Sequence, residues 1–86
     1  MDMASDYAGA EQRIIRSVAS ALLLAESEIN ADTSFGSIPQ WDSMGHMSVV
    51  LAIEQEFGLT FESYHIAELT SVSSIVSALL ERGGLS

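Results

Sequence analysis

Apolar positions recur with a helical period through most of this chain. Ile14, Ile15, Val18, Ala21, Leu22 and Ala25 follow i, i+3, i+4 spacing and predict a first helix from about Gly9 to Ala25. Glu11 near its start suits the helix dipole, while Arg13 and Arg16 fall off the apolar stripe. Residues 43–57 predict a second helix, with Asp42 or Ser43 as N-cap and Gly58 as stop. Glu62 to Leu69 can make one or two helical turns carrying Ile66 and Leu69. Thr70 or Ser71 can cap a last helix whose core face is Val72, Ile75, Val76, Leu79 and Leu80. Arg82 suits its C-terminal end and Gly83 stops it. The expected fold is all-α, a small four-helix bundle of three main helices and one short helix. Residues 1–8 read as a flexible N-terminal lead-in, 9–83 as a single domain and 84–86 as a C-terminal tail.

The second helix carries two apolar faces. At about 100° per residue, His46, Val49, Val50, Ile53 and Phe57 gather on one side, which is a full core-facing stripe. Met44, Met47 and Leu51 form another cluster, centred roughly 140° away. A helix packed on one side of a small bundle does not need two such faces. The second is either open to partners, where methionines adapt to differently shaped surfaces, or packed beneath the preceding segment. That segment, residues 26–42, is rich in turn formers (Asn30, Asp32, Ser34, Gly36, Ser37, Pro39) and long for a loop in so small a domain. Ile29, Phe35, Ile38 and Trp41 are spaced along it and suggest that it is pinned to the core. The acids of residues 26–32 read as a solvated loop, and Trp41 as a core anchor.

Composition narrows the function. The 86 residues carry 12 acids against three bases (Arg13, Arg16 and Arg82), a formal charge of −9. Nucleic acid and anionic membrane surfaces are poor partners for such a chain; proteins with basic surfaces are good ones. There is no cysteine, which excludes a disulfide scaffold, a thiolate zinc site and a cysteine nucleophile. The N-terminus shows no signal-peptide pattern, and the longest apolar runs are too short to span a bilayer. A cytoplasmic monomer is expected.

Asp42-Ser43-Met44 places a serine hydroxyl at the start of the second helix, after a loop. Helix N-termini carry unpaired N–H groups and partial positive charge, so they accept phosphate well. Read alone, such a serine is only an N-cap. Two histidines offer little chemistry: no carboxylate stands at a ligand spacing with both His46 and His65, and no metal site is expected. His46, one turn beyond Ser43, is in a position to approach a phosphate attached there. Asp42, Ser43 and His46 are too close in sequence to surround a substrate as a triad.

The wider pattern changes the reading of Ser43. Ser34-Phe35, Asp42-Ser43-Met44, Val49-Val50, Ile53-Glu54-Gln55-Glu56-Phe57-Gly58 and Leu69-Thr70-Ser71-Val72 stand at spacings that resemble the acyl carrier protein family, over about residues 10–82. The resemblance implies an acyl-carrier-like bundle and a stand-alone acyl or peptidyl carrier. It implies that Ser43, beside Asp42, holds 4′-phosphopantetheine, delivered from coenzyme A by a phosphopantetheinyl transferase with Mg²⁺. The arm's thiol would then carry an acyl or aminoacyl thioester to loading, condensing or transferring enzymes of a fatty-acid, polyketide or nonribosomal-peptide type pathway. Met44, Met47, Ser48 and Leu51 would meet those partners, and the chain itself would not be an enzyme. Trp41-Asp42-Ser43-Met44-Gly45-His46 is similar to the motif of carriers in specialised pathways. Gly45, His46 and Ser48 stand where fatty-acid carriers are often acidic or polar. The rival reading is an unmodified acidic helical adaptor docking through Met44, Met47 and Leu51.

Overall fold

The computed structural model describes residues 3–82, with side chains from Gly9 to Glu81. Four α-helices follow one another: α1 (Met3–Leu22), α2 (Ser43–Phe57), α3 (Ser63–Glu68) and α4 (Val72–Arg82), with a 3₁₀ turn at Glu26–Glu28. The all-α bundle of three main helices and one short one is as the periodicity predicts. Gly83 and the tail at 84–86 lie outside the described residues.

α1 packs against both α2 and α4. Ile14, Val18 and Leu22 of α1 meet Val49, Val50 and Ile53 of α2 and Val72, Ile75, Val76 and Leu79 of α4 in one hydrophobic cluster. Leu80 is a correction: expected in the core face of α4, it is 40% exposed, because the stripe through Val72, Ile75, Val76 and Leu79 already fills that face. No described helix is long and apolar enough to cross a membrane.

The start of α1 also differs from expectation. Its backbone is already helical at Met3, inside the segment read as a lead-in. No proline interrupts residues 3–9, and extending an existing helix adds one hydrogen bond per residue fixed. At the other end α1 stops at Leu22, short of Ala25. The Leu23 amide donates to the Ser20 carbonyl (3.3 Å) and the Leu24 amide to that of Ala19 (2.9 Å). This cap puts Leu23 at φ 60°, a left-handed conformation that glycine usually supplies and that costs other residues about 1–2 kcal/mol.

The acids after α1 have structural partners and do not form a merely solvated loop. Glu28 Oε2 accepts the Ala25 amide at 2.9 Å. Glu26 accepts from Gln12 Nε2 at 3.0 Å and lies 3.9 Å from Arg16. Arg13 reaches across to the end of α2, where Nε donates to Glu56 Oε2 at 2.9 Å and the guanidinium lies 4.3 Å from the Phe57 ring centre.

Backbone bonds to the start of α4 also hold the 26–42 segment. Ser34 and Ser71 form an isolated antiparallel bridge. The Phe35 amide donates to the Thr70 carbonyl (2.7 Å), and the Val72 amide to that of Thr33 (3.1 Å). Ser73 Oγ donates to the Ala31 carbonyl at 2.8 Å. Ile29 and Trp41 are buried, as expected of a pinned loop, whereas Phe35 stays 43% exposed.

Candidate functional site

Ser43 is the first residue of α2, and its side chain is exposed. Asp42 is the N-cap, with Oδ1 accepting the Gly45 amide at 2.8 Å. The helix ends at Gly58, whose φ of 65° provides the left-handed cap. The amides of Ser43 and Met44 have no acceptor within the helix by their position in its first turn. Together with the helix dipole they favour a phosphodiester on the neighbouring hydroxyl, so the donor set fits a phosphate-linked group.

The loop before Ser43 is fixed by Trp41. Its side chain is wholly buried, and its indole N–H donates to His46 Nδ1 at 3.0 Å. A donor facing Nδ1 leaves the ring proton on Nε2, which points to the Ile66 carbonyl at 2.9 Å. His46 is therefore the neutral tautomer with both nitrogens engaged. The Phe35 ring meets it edge-on, with centroids 5.5 Å apart. One buried imidazole thus joins the loop, α2 and the end of α3. This corrects the expectation that His46 approaches a phosphate on Ser43: its nitrogens face inward, toward Trp41 and Ile66. It likewise leaves no free imidazole nitrogen to act as a base toward Ser43. His65 sits on α3, partly buried, with its ring centre 4.2 Å from that of Tyr64. Among the described residues, no three His, Asp or Glu side chains group to hold a metal ion.

Sequence reasoning missed Gly45. A Cβ there would strike the Gln40 carbonyl oxygen and stand 3.0 Å from Leu22 Cδ2. The loop backbone and the end of α1 close directly on the first turn of α2 at that point. The signal was present, since a glycine inside a helix is costly and usually marks a close approach. Gly45→Ala is expected to cost about 1–3 kcal/mol despite alanine's better helix propensity, because the obstacle is backbone. Urea unfolding checks it; an unchanged or higher midpoint would mean that the loop does not cross at Gly45.

The second apolar face of α2 is open. Met44 is 83% exposed, Met47 48% and Leu51 54%, and Ser48 is exposed beside them. The 26–42 segment does not cover them; it is bonded to the start of α4 and meets α2 at Gly45 and His46. His46, Val49, Val50 and Ile53 form the buried face, as expected, with Phe57 partly buried beyond them.

A model of a family described as the phosphopantetheine attachment site matches residues 12–79, which is most of the 86-residue chain. The match takes in α2 whole, the loop that delivers Asp42-Ser43-Met44, and most of α1 and α4. Fold, helix-terminal hydroxyl and family match agree, and the chain belongs to the acyl and peptidyl carrier protein family, whose members bear covalently bound 4′-phosphopantetheine.

Proposed function

We propose that Ser43 holds the phosphopantetheine, and that this carrier presents an acyl or aminoacyl thioester to the enzymes of a specialised pathway of fatty-acid, polyketide or nonribosomal-peptide type. The observation that carries the proposal is the exposed Ser43 hydroxyl at the N-terminus of α2, beside an uncovered apolar face. In the transfer, Ser43 Oγ bonds to the phosphorus bearing pantetheine and displaces the nucleotide half of coenzyme A. The hydroxyl proton goes to a base on the transferase, where Mg²⁺ balances the phosphate charge. The bound arm supplies a thiol, which this cysteine-free chain otherwise lacks. Asp42 caps the helix and holds its first turn in place. Trp41 and His46 fix the approach to it. The transferase and the loading, condensing or transferring enzymes dock on Met44, Met47, Ser48 and Leu51, and the −9 charge favours basic partner surfaces.

The chemistry belongs to those partners, and the carrier itself is not an enzyme. We place the carrier in the cytoplasm as a monomer, where coenzyme A and its transferase would meet it. The exposed methionine face also suits an unmodified adaptor, and intact mass separates the two readings. Incubation with coenzyme A, Mg²⁺ and a broad-specificity phosphopantetheinyl transferase is expected to add a single phosphopantetheine; an adaptor would keep its mass. Met47→Glu is expected to preserve helicity and slow this modification, or later acyl transfer, by placing charge in the docking face. Wild-type rates at both steps would remove that face from the proposal.

A further inference from the structure

Leu23 combines two unfavourable properties. Its backbone is held left-handed at φ 60°, where a Cβ is strained, and its side chain is 91% exposed. No burial offsets the strain, since the packing of this turn comes from Leu22 and Leu24 on either side. Glycine or asparagine would make the same turn at less cost. A large apolar group in such a place points to a surface covered by a partner.

The position indicates which partner. Leu22, the preceding residue, lies against Gly45, two residues beyond Ser43. A protein that brings a reacting phosphorus to Ser43 Oγ approaches the end of the bundle where Leu22 meets Gly45, and Met44 is exposed there as well. Charge points the same way: the last turn of α1 holds no basic residue, and the carbonyl end of a helix carries partial negative charge. Arg13 and Arg16 face Glu56 and Glu26. The surface fits a partner with an apolar contact ringed by cations. We propose that Leu23 is a docking contact for the transferase that modifies Ser43, kept at the expense of stability; this rests on the attachment reading above.

The test uses the full chain with coenzyme A, Mg²⁺ and a phosphopantetheinyl transferase, comparing wild type with Leu23→Gly and Leu23→Met. Leu23→Gly is expected to melt roughly 4–8 °C higher, since it relieves the strained turn. It is also expected to raise KM for the carrier about tenfold with kcat retained, since a buried leucine contact is lost. Leu23→Met keeps an apolar side chain and is expected to restore KM without the gain in melting temperature. A Leu23→Gly protein that melts higher with unchanged KM overturns this inference alone. Wild type that gains no group at all overturns the attachment reading instead.

Discussion

Trp41→Ala is expected to bring the protein close to unfolding at room temperature. The side chain is wholly buried, and truncating a tryptophan in a core costs about 3–5 kcal/mol. At 86 residues the whole fold is worth roughly 4–13 kcal/mol, so this one change consumes a large part of it. A second term comes from His46, which loses the donor to Nδ1 and keeps a buried acceptor. Trp41→Phe isolates that term. It keeps most of the ring volume, removes the N–H, and is expected to cost about 1–3 kcal/mol in urea. Because Trp41 directly precedes Asp42, both variants are expected to slow modification as the loop before Ser43 loosens. A Trp41→Ala protein that unfolds at the wild-type midpoint would place the indole outside the core.

Ile53→Ala is expected to cost about 2–5 kcal/mol, as a truncation at a site with no solvent exposure. Leu51, two positions earlier, is 54% exposed, and Leu51→Ala is expected to stay within about 0.5 kcal/mol of wild type. The pair reads the orientation of α2 directly. In a domain of this size each kcal/mol moves the melting temperature by about 4–8 °C, so the two variants separate clearly in a thermal melt. Equal losses, or the reverse order, would mean that α2 is rotated and that the face assigned to partners is the core face.

The contrast between Ile53 and Leu51 was legible in the sequence because it depends only on helical period. The same holds for the ends of α2: Asp42 and Gly58 act on their own neighbours, and both cap the helix as local chemistry predicts. What the sequence concealed lies between segments. His46 fits the core stripe of α2, but its partners are Trp41 in the loop and Ile66 on α3. Only the packed chain reveals that its nitrogens are turned away from Ser43.

The end of α1 was misread for a different reason. No glycine marks it, and Leu23 takes the left-handed position that glycine normally signals. The 26–42 segment was expected to be pinned by its apolar residues. It is also tied down by amides and carbonyls, which every sequence carries and no pattern of side chains announces. The hydroxyl at residue 43 was legible for the opposite reason. It stands at a helix start defined by its nearest neighbours, within spacings that extend over most of the chain.

The attachment of phosphopantetheine at Ser43 is tested most directly by intact mass of two serine variants treated with coenzyme A, Mg²⁺ and a phosphopantetheinyl transferase. Ser43→Ala is expected to stay at its unmodified mass, while Ser77→Ala, altered at an exposed position on α4, gains one phosphopantetheine as wild type does. A Ser43→Ala protein that remains folded and still acquires the group would contradict the assignment.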